Sequence, residues 1–245
     1  MAQRSWKTLL HVHSDFSFDS NITLSDLADF LTANDFSCVA VTDHDTISGA
    51  LRMRNETDLH VIIGEEVTTS EGHLIGLFLQ EHVRPGMSAA DTARAIRAQG
   101  GVVLLPHPFV KAFGCGIGQR SWDIAPLVDA VEINNAQNML PGPDAKARAF
   151  AAATGLPAYV GADCHMKTSI APCHQFLRPF AGPRDFIASL SEAELVPGRH
   201  SWPRFIATGL RCVGHAVGIP LPQGYGSNAA TSTDWATPTL QPATA

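Results

Sequence analysis

The sequence predicts an α/β protein whose mostly parallel sheet closes into a barrel, and two observations lead to this fold class. Strand-like apolar segments alternate with helix-like segments across residues 7–190, which is the order of elements in parallel α/β folds. The run at 102–105 is apolar at every position, as expected for a parallel strand that is covered on both faces.

The first half of the chain contains four predicted strands and two predicted helices. Thr23 is a candidate N-cap with Asp26 in the first helical turn, and Gly64 is expected to end the third strand. The strands are predicted at 7–12, 37–42, 59–63 and 73–79, and the helices at 23–34 and 46–55.

The second half continues the alternation. Ser88 and Asp91 form a candidate capping box, and Gly100 with Gly101 supplies the stop at the end of that helix. A long loop is expected at 109–121, where glycines and other small residues interrupt basic and aromatic ones. Strands are predicted at 102–105, 130–134 and 158–161, and helices at 88–99, 143–153, 183–190 and 202–216.

Composition divides the chain into one domain and a tail. From Ile219 onward Gly, Ser, Thr, Pro and Ala dominate, and Asp234 is the only charged residue. Such a segment cannot bury enough apolar surface to fold. We therefore expect one domain at 1–218 and a disordered tail at 219–245.

The bulk properties limit the function and the location. The chain has 245 residues, is 45% apolar and contains no run long enough to span a membrane. Its first residues lack the apolar core of a signal peptide, and its five cysteines form no C-x-x-C pair, which favours a reducing cytoplasm. The net charge of −6 disfavours nonspecific nucleic-acid binding. A cytoplasmic protein with a small anionic substrate is expected, without a membrane or nucleic-acid partner.

Histidines recur where predicted strands end. His11 and His13 are two residues apart on a strand and so point to the same side. His44, His107 and His165 also follow apolar runs, and functional side chains gather at the C-terminal ends of barrel strands. A single histidine is more often a surface or core residue, so the recurrence carries the prediction of a shared metal site.

The remaining ligand candidates follow from residue type. Imidazoles mixed with carboxylates suit zinc, manganese or iron. His73 starts a predicted strand, so the pattern supports it less. Cys164 lies between two candidate ligands, and strand alternation turns its thiol towards the core. Asp43 and Asp45 flank His44, where they could orient an imidazole or be solvated turn carboxylates.

Six motifs together resemble the PHP (polymerase and histidinol phosphatase) family over residues 8–165. They are His-Val-His-Ser with Asp19, Thr-Asp-His-Asp-Thr, Gly-Glu-Glu-Val, His-Leu-Ile-Gly, Gly-Gly-Val-Val-Leu-Leu-Pro-His-Pro-Phe and Gly-Ala-Asp-Cys-His. The resemblance implies a distorted (β/α)₇ TIM-like barrel with a trinuclear metal site at its C-terminal mouth.

The resemblance also implies a ligand set. One metal would be held by His11, His13, Glu66 and Asp163, a second by Glu66, His73 and His107, and a third by Asp19, His44 and His165. Ser20-Asn21 follows Asp19 where many members have Asp-Gly, so two or three divalent ions (Mn, Zn or Fe) are expected.

The activity expected from the resemblance is that of a metal-dependent phosphoesterase, a phosphatase of the EC 3.1 type. Three divalent ions against three ligand carboxylates would leave a cleft of about +3, which suits phosphate and a phosphoryl-transfer transition state. A metal-bridging hydroxide would attack the phosphoester. The residues expected to act in catalysis are Glu66, His107, Asp163 and His165, and Arg178, Lys111 and Lys167 are the candidates for substrate binding.

The sequence leaves several substrate classes open. The leading prediction is a nucleotide or nucleoside 3′,5′-bisphosphate phosphomonoesterase. A cyclic phosphodiesterase and a histidinol-phosphate or sugar phosphatase remain open. A nuclease or proofreading module and a noncatalytic metal-binding domain are alternatives of another class.

Overall fold

The computed structural model describes residues 5–111, 114–203, 206, 208–210 and 213. The strands in these ranges are β1 (Trp6–Val12), β2 (Cys38–Val41), β3 (His60–Thr69), β4 (Gly72–Leu77), β5 (Val102–Leu105), β6 (Ala130–Asn135), β7 (Ala158–Gly161), β8 (His174–Leu177) and β9 (Glu194–Val196). The α-helices are α1 (Leu24–Ala33), α2 (Ser48–Glu56), α3 (Ala89–Ala98), α4 (Ser121–Ile124), α5 (Pro141–Thr154) and α6 (Pro183–Leu190). The predicted tail at 219–245 and the domain boundary before it lie outside the described residues.

One sheet curls into a nearly closed barrel. Its strand order is β7-β6-β5-β4-β3-β2-β1-β8-β9. The chain just after β7 returns to β1, because the Asp163 N–H donates to the His11 carbonyl at 2.7 Å and the His13 N–H donates to the Cys164 carbonyl at 3.2 Å. Strands β1 to β7 therefore form the barrel, and the predicted distorted TIM-like fold is confirmed.

The distortion lies at β4, which runs antiparallel to both β3 and β5. The other neighbouring pairs among β1 to β7 are parallel. The prediction that β3 stops at Gly64 is wrong, because β4 supplies ladder partners from Gly64 as far as Thr69. A Cβ at Gly64 would lie 2.9 Å from the Val41 carbonyl oxygen. Close packing therefore requires this glycine without ending the strand.

Two further elements were not predicted. Strands β8 and β9 are only 4 and 3 residues long, and β8 pairs antiparallel with the first half of β1. The segment predicted as a loop at 109–121 contains a 3₁₀ turn at Gly118–Arg120 and the start of α4. The predicted cap of α1 is present, since Thr23 Oγ1 accepts from the Asp26 N–H at 3.1 Å.

The core has two layers, separated by the barrel wall. Leu10, Ile62, Leu104 and Tyr159 belong to the inner cluster. The outer cluster lies between the strands and the helices, and Leu9 and Val12 belong to it. Among the described residues, no helix is long and apolar enough to cross a membrane.

Candidate metal centre

The nine predicted ligands are brought to one end of the barrel. They lie at the end of β1, within β3 and β4 near the turn that joins these strands, or in the segments that follow β1, β2, β5 and β7. Seven of the nine are buried, and His44 and His73 are partly exposed. Residues separated by more than 150 positions in the chain therefore share one pocket, as the predicted gathering at strand ends requires. The nine are His11, His13, Asp19, His44, Glu66, His73, His107, Asp163 and His165.

The antiparallel direction of β4 explains the place of His73. His73 is near the start of β4 and is paired in register with Thr68, near the end of β3. Because β4 runs against its neighbours, its first residues lie at the mouth where the other strands end. A residue that begins a strand is therefore placed among residues that end strands.

A β-bulge places His11. The register of β1 against β2 shifts between Leu9 and Val12, and His11 has a φ of 62°. Leu10 already faces the inner cluster, so the bulge turns the next side chain inward as well. His11 and His13 then converge, with ring centroids 5.2 Å apart.

Two other predicted ligands have left-handed backbones. His107 has a φ of 26° and Asp163 a φ of 45°. A non-glycine residue in such a conformation costs about 1–3 kcal/mol and clusters at functional sites. Both residues follow barrel strands directly, so the chain bends sharply where the site begins.

Glu66 lies at the centre of the cluster. Its Oε1 is 2.9 Å from His73 Nδ1 and 2.9 Å from His107 Nε2. Its Oε2 is 3.1 Å from the Nε2 atoms of both His11 and His13. Each carboxylate oxygen thus faces a different pair of imidazoles, which is the arrangement of a carboxylate that bridges two ions.

The other two carboxylates each serve one side of the cluster. Asp163 Oδ1 is 3.5 Å from both His11 Nε2 and His13 Nε2. Asp19 Oδ2 is 3.1 Å from His165 Nε2 and 3.4 Å from His44 Nε2. Ligand atoms within 4.8 Å of one another form four overlapping groups: His13, Asp19, His44 and His165; His11, His13 and Asp163; His11, Glu66 and His107; and His44, Glu66 and His73.

The electrostatics of the cluster favour protonated imidazoles beside ionised carboxylates. Burial alone would lower the pKa of His11, but nearby carboxylates, chiefly Asp163 and Glu66, raise it well above its usual value. Burial likewise opposes the charged form of His44, yet Asp19 and Glu66 raise its pKa to about 10. Burial would raise the pKa of Glu66, and the surrounding histidines hold it well below its usual value. A divalent ion therefore has to displace protons from this cluster.

Comparison with known proteins finds a partial match to a known family. Residues 10–104 match the PHP domain family. An uncharacterized protein from Methanocaldococcus jannaschii is 40% identical over 101 residues, which are 40% of this chain and 57% of that relative. The match thus spans little more than half of the relative's length. The resemblance to the PHP family is confirmed.

Solved structures share this fold at low sequence identity. One is a two-domain protein from Bacteroides vulgatus that contains a predicted PHP-like metal-dependent phosphoesterase. It has a TM-score of 0.66 and 15% identity, covering 85% of this chain and 70% of that chain. A lesion-specific endonuclease from Pyrococcus furiosus has a TM-score of 0.53 and 11% identity, covering 78% and 57%. These likenesses show the fold.

The donor set of this centre fits divalent ions. His44 Nδ1 and His107 Nδ1 are buried and make no hydrogen bond, whereas His13 Nε2 and His165 Nε2 each lie 3.1 Å from a carboxylate oxygen. A buried polar atom without a hydrogen-bond partner is costly in an ordinary core. Imidazole nitrogens beside carboxylate oxygens are the ligands that zinc, manganese and iron take. The clustered donors therefore suit divalent metal ions, whose identity and number stay predictions.

This centre opens into a cavity of about 120 Å³. Its walls beyond the predicted ligands include Val110, Asn135, Gln137, Asn138 and Thr208. Among the residues that the structure describes, no lysine or arginine lines this cavity. Amide and hydroxyl groups therefore supply most of the polar wall outside the ligand cluster.

The structure contradicts the prediction that Arg178 binds phosphate. Arg178 follows Leu177, which pairs with Trp6 at the start of β1. His11 is five residues further along β1, or about 17 Å at the rise of an extended strand. Arg178 Nε is instead 3.1 Å from Glu192 Oε2, with both side chains more than half exposed. The register of β8 against β1, which the sequence did not reveal, puts Arg178 at the wrong end of the barrel.

The two predicted lysines lie near the mouth with exposed side chains. Lys111 follows Val110, which lines the cavity. Lys167 is two residues after His165, and its backbone N–H donates to Asn21 Oδ1 at 3.0 Å. Neither side chain lines the cavity, so their part in substrate binding stays a prediction.

Sequence reasoning missed the residues of β6 and the turn after it. Glu132 Oε1 is 2.8 Å from His11 Nδ1, and Asn135 Nδ2 donates to Asp163 Oδ2 at 2.9 Å. Gln137 Nε2 donates to the Asp163 carbonyl at 3.0 Å. The sequence did contain a signal for Glu132, because this residue interrupts an apolar strand. A carboxylate that is buried in this way needs polar or charged partners.

The acids suspected of orienting His44 have other roles. Asp43 accepts from the Ser14 N–H at 2.6 Å and from Ser14 Oγ at 2.8 Å, and Asp45 Oδ1 accepts from the Thr68 N–H at 2.7 Å. Both therefore brace backbone segments around the site. Cys164 is fully buried in the outer core, as predicted.

Proposed function

We propose that this protein is a metal-dependent phosphomonoesterase of small phosphorylated molecules, with nucleotides or nucleoside 3′,5′-bisphosphates as its substrates. The observation that carries the proposal is the position of Glu66, whose two oxygens each lie 2.9–3.1 Å from two imidazole nitrogens. A carboxylate shared in this way suits a site for paired ions rather than a single structural ion.

The lining of the cavity supports a small substrate with polar groups. Gln137 lines the cavity, and its Oε1 makes no hydrogen bond with the described residues. This oxygen can accept a hydrogen bond from a ligand. The hydroxyl groups of a nucleoside or a sugar are donors that match such an acceptor.

Each predicted ligand is assigned to one of three ions, except Glu66, which is assigned to two. His11, His13, Glu66 and Asp163 would hold one ion, Glu66, His73 and His107 a second, and Asp19, His44 and His165 a third. When bound, divalent ions supply Lewis-acid stabilisation of phosphate oxygens and lower the pKa of water.

The protein's own groups hold this arrangement in place. Glu66 positions four imidazoles from three different segments of the chain around one point. Asn135 and Gln137 hold both the carboxylate and the backbone of Asp163. Burial of the cluster excludes bulk water, which strengthens every electrostatic interaction with a bound phosphate.

The experiment that tests the function is a phosphate-release assay with a defined metal state. Purified protein is stripped with a chelator, restored with Mn²⁺, and given nucleoside monophosphates, nucleoside 3′,5′-bisphosphates, a sugar phosphate and a cyclic nucleotide. We expect Mn²⁺-dependent release of inorganic phosphate, fastest from nucleotides. Release that is unchanged by chelation, or no release from any monoester, would contradict the proposal.

Two variants test whether the activity depends on the metal centre rather than on any buried residue nearby. His107→Ala removes an imidazole that lies 2.9 Å from Glu66, and its phosphate release should fall at least about 100-fold. Glu65→Gln is the matched control, because Glu65 is adjacent in sequence but contacts His82 and Val83. Its activity should remain close to that of the wild type.

Single-stranded DNA in the same assay tests the alternative of a nuclease. Cleavage of DNA without release of phosphate from mononucleotides would replace the proposed function with that alternative. Metal binding without either activity would indicate a noncatalytic metal-binding domain.

A further inference from the structure

Glu132 is a buried carboxylate that contacts the metal centre without being one of its nine predicted ligands. It lies in the middle of β6 and is 1% exposed. Its Oε1 is 2.8 Å from His11 Nδ1. Its Oε2 accepts from the His107 backbone N–H at 2.7 Å and from Asn135 Nδ2 at 2.8 Å.

These contacts connect Glu132 to three predicted ligands. It touches the side chain of His11 directly and holds the backbone of His107. The third connection runs through Asn135, whose Nδ2 also donates to Asp163 Oδ2 at 2.9 Å. The three ligands follow three different strands, so one carboxylate holds β1, β5 and β7 together at the mouth.

The contact with His11 decides which ring nitrogen keeps its proton when a metal binds. A carboxylate accepts hydrogen bonds and cannot donate them, so His11 Nδ1 is protonated beside Glu132. A divalent ion would displace the proton from the other nitrogen, His11 Nε2, which is 3.1 Å from Glu66 Oε2 and 3.5 Å from Asp163 Oδ1. This nitrogen is the one that faces the centre of the cluster.

We propose that Glu132 is a positioning residue that selects the metal-binding tautomer of His11 and sets the geometry of the His107 segment. This inference rests on the metal centre of the proposed function and deepens it. A histidine that binds metal through one nitrogen generally donates its other N–H to such a group, which fixes the ring and raises its basicity.

The backbone around Glu132 is built to leave room for it. A Cβ added at Gly161 of β7 would overlap Glu132 Oε1 and would lie 3.2 Å from His11 Nδ1. The carboxylate therefore occupies the space that a side chain at position 161 would fill. This close approach ties the position of Glu132 to a residue outside the predicted ligand set.

Glutamine at position 132 would create a conflict that a carboxylate avoids. Three N–H groups converge on the two oxygens of Glu132, from His11, His107 and Asn135. An amide has one acceptor oxygen and one NH₂ group. If the NH₂ faced His11, the imidazole would have to accept at Nδ1 and would carry its proton on Nε2, where it blocks a ligand position.

The first test uses the unmodified protein loaded with Zn²⁺. Long-range ¹H–¹⁵N spectra of histidine-labelled protein report the protonation of each ring nitrogen, and His11 is assigned from the signals lost in His11→Gln protein. We expect His11 to keep its proton on Nδ1. A His11 ring protonated on Nε2 would overturn the proposal, and this result does not depend on any Glu132 variant folding.

The second test measures the affinity for Zn²⁺ by competition with a chromophoric chelator. Glu132→Gln should bind Zn²⁺ about 10–100-fold more weakly than the wild type, the usual cost of losing such a supporting carboxylate. Glu65→Gln changes an equally buried glutamate of β3 whose hydrogen-bond partners are His82 and Val83, and it should bind Zn²⁺ as the wild type does. Glu132→Asp keeps the charge and should recover part of the affinity.

The outcomes separate this inference from the proposed function. Equal Zn²⁺ affinity for Glu132→Gln and Glu65→Gln would overturn the positioning role even if the wild type is an active phosphatase. Conversely, weakened Zn²⁺ binding in Glu132→Gln would support that role even if no phosphomonoester is hydrolysed.

Discussion

Metal ions should stabilise the folded protein, and the size of the effect follows from the structure. Two buried imidazole nitrogens, His44 Nδ1 and His107 Nδ1, make no hydrogen bond. Each unsatisfied buried polar atom costs about 1–3 kcal/mol. Metal coordination of both should therefore stabilise the fold by at least about 2 kcal/mol, taking the lower end for each nitrogen.

This free energy converts to a measurable rise in melting temperature. For a domain of this size, about 1 kcal/mol raises Tm by roughly 2–4 °C, so a stabilisation of about 2 kcal/mol should raise Tm by roughly 4–8 °C. By mass action, about 2 kcal/mol corresponds to a free metal concentration roughly 30-fold above Kd. The rise should grow with the logarithm of metal concentration once the sites are filled.

The assay is thermal unfolding followed by circular dichroism, on chelated protein titrated with Mn²⁺, Zn²⁺ or Fe²⁺. Asp163→Asn removes one ligand charge and should lose much of the rise, whereas Glu65→Gln should keep it. A wild-type Tm that changes by less than about 2 °C with all three ions would refute the reasoning, because that is less than about 1 kcal/mol.

Four further outcomes are expected. Glu66→Gln should lower phosphate release at least about 100-fold and reduce the bound metal measured by mass spectrometry; full metal content with wild-type turnover would contradict the bridging role. Arg178→Ala should leave kcat/KM unchanged, because this side chain lies at the far end of the barrel; a large rise in KM would restore it to the site. Gly161→Ala should weaken Zn²⁺ binding as Glu132→Gln does, since the added methyl group displaces that carboxylate; unchanged affinity would contradict this. Chelated protein should lose stability towards urea as the pH rises from 6.5 to 10, because the raised pKa of His44 contributes stability that is complete below 6.5 and lost near 10; constant stability over that window would argue against the raised pKa.

Local patterns predicted most of the barrel elements. The bounds of β5 and β7 match their predictions at 102–105 and 158–161, because unbroken apolar runs between breakers are strong signals. The extension of β3 beyond Gly64 was not predictable, because it depends on pairing with β4 rather than on its own residues. Strands β8 and β9 were missed for the same reason, since three or four residues carry little periodicity.

The residues of the candidate site also differ in how far the sequence predicted their positions. Histidines at strand ends were recognisable because side chains there face a common mouth in a closed parallel sheet. The His73 position needed the reversed direction of β4, which no local pattern reveals. Arg178 was misplaced because a residue near a predicted strand end can lie at either end of the barrel until the strand direction is known.

By itself, the sequence singled out the nine candidate metal ligands, through histidines at the ends of apolar segments and through the resemblance to the PHP family. Only the tertiary structure decided how they are arranged: that Glu66 lies between four imidazoles, that a bulge turns His11 inward, and that Glu132 holds His11 and His107 from β6. The reason is physical. Residue type and short-range spacing act through the local backbone, whereas distances between strands depend on sheet register, strand direction and barrel closure.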